Sequence, residues 1–234
     1  MIDPTSAPGP HPFRRSRLAL LTVIALAPTL SATAAEPVVA PSAESLTVAR
    51  DYVVTSRFVD LLDGIVNRFA SEANIASDPK DLALKRRVVR DMSREVMVDS
   101  LARSLATDTP VEVLRAGVAY AKSDLGRIEF GCLADMANGL EGYPACLESK
   151  TDDAQRARLL AYSQGESGVA LMSKVFKGDA VVGALNASTR DLVARDPEVA
   201  AQLADYCKRK PDEGICGYQT QIQTDAGGET DERR

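Results

Sequence analysis

A chain of 234 residues with one histidine, no tryptophan and only 5% aromatic residues has few of the side chains on which enzyme chemistry usually rests. The single His11 lies in an N-terminal leader. Beyond that leader the sequence therefore offers no histidine for Ser–His–Asp or Cys–His catalysis, general base chemistry or zinc ligation. The formal net charge is −5; without residues 1–35 it is −7, with 25 basic against 32 acidic residues over 199, which excludes a general nucleic-acid binder.

The leader runs from Met1 to Arg17 and carries Arg14, Arg15 and Arg17. A 13-residue apolar run, Leu18 to Leu30, follows and ends in Ser31-Ala32-Thr33-Ala34-Ala35. Basic head, apolar middle and small-residue end are the marks of a cleaved secretory signal, here residues 1–35. The run is too short to span a bilayer, which takes roughly 20 apolar residues. Arg17 after Arg14-Arg15 favours ordinary secretion over a twin-arginine route. The expected mature protein is periplasmic or secreted, with no transmembrane segment after signal cleavage.

Residues 36–42 read as a Pro/Ala/Val linker, and 43–216 as one helical domain. Ala43 to Val54 is a first helix with Leu46, Ala49 and Val53 in register. Thr55-Ser56 caps a second, whose stripe is Phe58, Leu61, Leu62, Ile65, Val66 and Phe69. Asp78-Pro79 is an N-cap with proline at the first helical position, opening one long helix to about Ala106. That helix carries Arg86, Arg87, Arg90 and Arg94. The stripe reads either as a surface for an anionic envelope component or as a solvated face answered by Asp91 and Glu95.

Thr109-Pro110-Val111-Glu112 predicts the next helix start, with Thr109 as cap and Glu112 closing a capping box. On that helix Val113, Leu114, Gly117, Val118, Tyr120 and Ala121 share one broad apolar arc. Ser123-Asp124-Leu125-Gly126 then breaks it into a kink or a tight corner, with Gly126 allowing close backbone approach. A fainter copy lies 42 positions later, where Ala119, Tyr120 and Gly126 answer to Ala161, Tyr162 and Gly168. Asn138-Gly139 is a helix stop, Leu140 to Ser149 a loop, and Asp152 the cap of the second copy. Asp179 opens a further helix and Asp196-Pro197 a last one. Residues 217–234 read as a disordered tail. The fold class is all-α: a multi-helix bundle of about seven to nine helices with kinked helical hairpins, in two weakly related halves.

The order Thr109-x-x-Glu112-Val113-Leu114, then Tyr120-x-x-Ser123-x-x-Gly126, resembles a family of exported bacterial helical domains of unknown function. Its signature is an acid and Leu opening a helix, followed by Phe-Tyr-x-Ser-Pro-x-Gly. The similarity covers Met92 to Met136, with Tyr120, Ala121 and Asp124 departing from the pattern. The resemblance implies a small helical domain of the cell envelope and brings no chemistry with it.

Four cysteines in an exported chain predict two disulfides. Of the three possible connectivities, the local one, Cys132–Cys146 with Cys207–Cys216, closes turns between predicted helices. No C-x-x-C pair is present, which disfavours a thiolate metal site or a thioredoxin-like activity. No Gly-rich phosphate loop occurs, and no metal or cofactor is expected. Tyr120 and Tyr162 read as core aromatics, or alternatively as a pair that stacks a ligand. Asp152, Asp153, Glu141 and Glu148 are the candidate carboxylates for an enzyme. The sequence thus points to a non-catalytic binding or structural role in the envelope, towards an envelope protein or anionic component. The competing reading is a carboxylate-based hydrolase of cell-wall glycans.

Overall fold

The computed structural model describes residues 40–72, 78–135, 142–176 and 179–219, apart from the side chains of residues 69, 71 and 72. The leader and the expected cleavage site, most of the linker, the Asn138-Gly139 stop and residues 220–234 lie outside them. Among the described residues there are eleven α-helices, one 3₁₀ helix and no strand. The all-α expectation holds, with more helices than the seven to nine predicted.

Helices α1 (Ala43–Thr55) and α2 (Phe58–Glu72) follow the sequence reading closely. The predicted long helix is two, α3 (Pro79–Asp91) and α4 (Arg94–Ala106). Asp78 caps α3 as expected, but Met92 turns extended and Ser93 caps α4 by accepting from the Val96 N–H. The break is stabilised from outside. Ser188 Oγ donates to the Ser93 carbonyl at 3.1 Å, and the Arg195 guanidinium to that of Asp91. The Asp91 carbonyl, which a continuous helix would have satisfied internally, thus finds a partner on another helix, while the Ser93 carbonyl accepts from Ser188 in addition to the Met97 N–H.

Helices α5 (Val111–Lys122) and α6 (Asp124–Ala134) form the first corner; α8 (Asp153–Gln164) and α9 (Glu166–Phe176) form the second. All four boundaries of the second corner equal those of the first plus 42. The turns match in detail. Ser123 and Gly165 are both extended (φ −67°, ψ 160° and φ −74°, ψ 160°), and each N–H donates to the carbonyl of the tyrosine three residues before it. A Cβ added at Gly126 would collide with the Tyr120 carbonyl oxygen, and one at Gly168 with that of Tyr162. Gly126 and Gly168 are thus required because a helix N-terminus lies directly on a backbone carbonyl. Thr109 and Thr151, also 42 apart, are both buried.

Two details of the sequence reading are corrected. Pro110, not Thr109, is the N-cap of α5, and no side chain caps that helix. Thr109 Oγ1 is buried without a hydrogen-bond partner, and the capping box falls instead in the second copy, between Asp152 and Gln155. The stretch read as a loop from Leu140 to Ser149 holds a helix, α7 (Gly142–Lys150). Pro144 is compatible with it because the first turn of a helix needs no proline N–H.

Helices α10 (Asp179–Arg195) and α11 (Pro197–Arg209) and the 3₁₀ helix (Gly214–Gln219) complete the chain. The ordered chain therefore runs past Gly217, where the tail was expected to start, and Tyr218 is buried. The main core joins α1, α2, α4, α5, α6, α9 and the first half of α10, around Tyr52, Leu101, Leu105, Leu114, Phe130 and Leu171. A smaller core gathers Leu84, Val88, Leu192, Leu203, Tyr206, Cys207, Cys216 and Tyr218. Helix α10 contributes to both, and Met92 at the α3–α4 break packs against both. Cys132–Cys146 and Cys207–Cys216 are the disulfides, with Cα atoms 5.7 Å and 5.6 Å apart, the local connectivity.

The corner geometry yields a test. Gly126→Ala and Gly168→Ala should each destabilise by about 1–3 kcal/mol in urea melts, because backbone must move to admit one methyl group. Gly131→Ala, within α6 but with open space at its Cβ, should be neutral or stabilise by up to about 1 kcal/mol. Equal effects at all three positions would contradict the close approach.

Candidate functional site

On α6 the apolar stripe Leu125, Leu133 is interrupted at its centre by an acid, Glu129, one turn from each. The helix period turns that carboxyl into the core, where only 6% of the residue is exposed. Four tyrosines from four helices surround it. The Tyr120 hydroxyl (α5) donates to one carboxyl oxygen, and the Tyr143 hydroxyl (α7) reaches the other at 3.4 Å. Tyr52 (α1) and Tyr162 (α8) are close enough to feel its charge, yet their buried hydroxyls have no hydrogen-bond partner.

Burial holds the Glu129 carboxyl above its ordinary value, and the two phenol hydrogen bonds only partly offset that. The phenols move the same way. Burial, with Glu129 nearby, pushes Tyr162 up to about 12 and Tyr52, Tyr120 and Tyr143 well above the usual phenol range. Phenols so displaced do not release protons near neutral pH. The arrangement can hold a proton on Glu129 and fixes the Tyr120 and Tyr143 hydroxyls on its carboxyl.

Tyr120 and Tyr162 meet face to face, ring centroids 3.4 Å apart and planes 7° from parallel. Each ring covers one face of the other, so no ligand can lie between the two. From this pair edge-to-face contacts run through Phe130 (6.2 Å from Tyr120) to Phe58 (5.6 Å) and on to Phe176 (6.2 Å). The row ends at an open groove of about 210 Å³ between α2, α9 and α10. Phe58, Leu61, Leu62, Ile65, Val175, Phe176 and Val182 line it, and among the described residues its lining is wholly apolar. Phe176 and Val182 remain about half exposed at its rim, 51% and 54%.

The residues singled out from sequence are distributed as follows. Tyr120 and Tyr162 meet at the Glu129 cluster, and Cys132–Cys146 joins α6 to α7 beside it. Ser123, Gly126 and Gly168 build the corners, whereas Thr109 and Glu112 form no cap. Cys207–Cys216 lies in the smaller core. Of the candidate carboxylates, Asp152 is a helix cap, Asp153 pairs with Arg156, Glu148 is exposed, and Glu141 lies outside the described residues. The arginine stripe is largely occupied from within. Arg87 holds Asp196 and Glu198 at 2.9 Å each, Arg90 holds Asp91, and Arg94 reaches back to Asp60 and Asp63. Glu95 answers Arg50 rather than the stripe.

Glu129 itself escaped the sequence reading. Its signal was an acid at the middle of an i, i+4, i+8 apolar run, Leu125–Glu129–Leu133, a position where a solvated carboxylate does not belong. No family model matches the chain, and neither a curated protein nor a solved structure matches it.

The raised carboxyl gives a signed pH dependence. The folded state favours protonated Glu129, so its contribution to stability is fully present below the ordinary value of 4.5 and is lost as pH rises through the raised one. Melting temperatures across pH 4–8 should therefore fall above about 4.5 in the wild type, a component absent in Glu129→Gln. A wild-type and a Glu129→Gln profile that differ only by a constant would show that Glu129 ionises as an ordinary exposed acid.

Proposed function

We propose that this chain is an exported protein of the cell envelope with a non-catalytic binding or structural role, of the kind that the Thr109–Gly126 signature resembles. Three observations support export: the Arg-rich leader with its apolar run and Ala-rich end, the two disulfides, and the absence among the described residues of a helix long and apolar enough to cross a membrane. The observation that carries the binding reading is the contrast between the two sites. Glu129, whose carboxyl burial holds above its ordinary value, is enclosed by phenols, while among the described residues the lining of the open groove is apolar and carries no charged or nucleophilic group. Apolar lining recognises by burial, and about 25 cal/mol per Å² of area removed from water is the scale of what it contributes.

The partner is an envelope protein or another envelope component that presents an apolar group to the α2–α9–α10 groove. The internal pairing of Arg87, Arg90 and Arg94 favours the groove over the arginine stripe as the contact. Asp152 serves as a helix cap and Asp153 pairs with Arg156, roles that lend the glycan-hydrolase reading no support.

Two measurements test the proposal. N-terminal sequencing of the protein from an envelope fraction should begin at Ala35 or Glu36; an intact leader on cytoplasmic protein would overturn export. A photo-crosslinking residue at Val182 should give an envelope adduct that the same residue at the exposed Glu112 does not. An adduct at Glu112 alone would move the contact away from the groove.

A further inference from the structure

Helix α7 differs from the other helices in how it is held. None of its nine residues is fully buried, and nine residues are too few for a helix to persist in water on its own. Among the described residues the attachments of α7 are few: the Tyr143 hydroxyl on Glu129, at a long 3.4 Å, with its ring against the main core, the Thr151 hydroxyl on the Leu147 carbonyl, and the Cys132–Cys146 disulfide, the one covalent link to α6. The two disulfides differ in access. Cys207 and Cys216 are both 4% exposed, inside the smaller core. In the other pair Cys132 is buried, but Cys146 is only half-buried, on the loosely held helix. Thiol–disulfide exchange needs a thiolate to reach a sulfur, so Cys146 is the sulfur within reach.

We infer that Cys132–Cys146 is a reducible clasp: a dithiol reductant opens it selectively, α7 leaves α6, and the Glu129–tyrosine cluster is uncovered. The step balances with no further reactant. One thiolate of the reductant attacks Cys146 Sγ, forming a mixed disulfide and expelling Cys132 as a thiolate that takes up a proton. The second thiol of the reductant then attacks its own mixed-disulfide sulfur, releasing Cys146 as a thiol. Two electrons and two protons pass to the protein, and the reductant leaves as a disulfide.

Loss of α7 removes Tyr143 and leaves Tyr52, Tyr120 and Tyr162 facing Glu129 from α1, α5 and α8. All three are neutral phenols, so the balance at the carboxyl changes through solvent access and the loss of the Tyr143 hydrogen bond. The inference concerns the folded chain itself and stands apart from its location and partner.

Graded treatment of the whole protein with dithiothreitol, followed by alkylation and peptide mapping, tests the order of reduction. Cys132 and Cys146 should be alkylated while Cys207 and Cys216 remain paired. In the same samples amide exchange over 142–150 should rise about tenfold or more, with α1, α4 and α10 still protected. Tyrosine emission, which no tryptophan obscures here, should change in step. The double variant Cys132→Ser/Cys146→Ser should show the same exchange pattern without reductant. Simultaneous reduction of both pairs, an α7 that stays protected after its disulfide is gone, or a double variant that cannot fold would each overturn the clasp. The last two would make α7 an integral part of the core.

Discussion

The Tyr120 carbonyl lies against the backbone of Gly126, and 42 residues on the Tyr162 carbonyl lies against Gly168 in the same way. Only a residue without a Cβ lets the second helix of each corner begin so close to the end of the first. That closeness fixes the angle at which α5 meets α6 and α8 meets α9. It also places the two tyrosine rings where they stack on each other. The rest follows from this pair of corners. Phe130 is carried into the aromatic row, Leu171 of α9 reaches Gly117 of α5, and α1 lies along α5 with Tyr52 against the same glycine.

Glu129 is a consequence of that arrangement and a burden on it. A carboxyl in the core costs free energy unless it is neutral or well bonded. Here burial keeps it towards its protonated form, and phenols from α5 and α7 occupy its oxygens. Two further phenols, Tyr52 and Tyr162, are buried nearby without partners. Removing both ends of such a network is usually cheaper than removing one, since an orphaned polar group carries its full desolvation cost. The Glu129 hydrogen bonds therefore tie α5, α6 and α7 together with directional contacts that a wholly apolar core would lack, while Tyr162 of α8 joins through its stacking on Tyr120.

Charge plays a different part at the periphery. Arg94 with Asp60 and Asp63, Lys122 with Asp51, and Arg87 with Asp196 and Glu198 all join separate helices. Each exposed pair contributes at most about 1 kcal/mol. Their effect is to fix which helices lie side by side, and to engage Arg87 and Arg94 with acids of the chain itself. The groove between α2, α9 and α10 keeps its apolar lining open in consequence of packing, because Phe176 and Val182 stand at the ends of helices with nothing laid across them among the described residues.

The sequence by itself determined the helical class, most helix starts and the corners, and favoured the local disulfide pairing. Those properties are local. An Asp or Ser cap, a proline at the first turn, a glycine at a kink and two cysteines 9 or 14 residues apart each act within a few turns of chain. Tertiary structure decided what depends on partners distant in sequence. The α3–α4 break is completed by Ser188 and Arg195 of α10, about a hundred positions away, so nothing in the stretch Pro79–Ala106 announced it strongly. The cap expected at Thr109 failed because packing drew that hydroxyl inside, and α7 formed where Cys146 and Tyr143 hold it to α6. Glu129 was visible only as an acid out of place on an apolar stripe. That four tyrosines from four helices would surround it was settled by the meeting of the two corners, a contact that no local periodicity encodes.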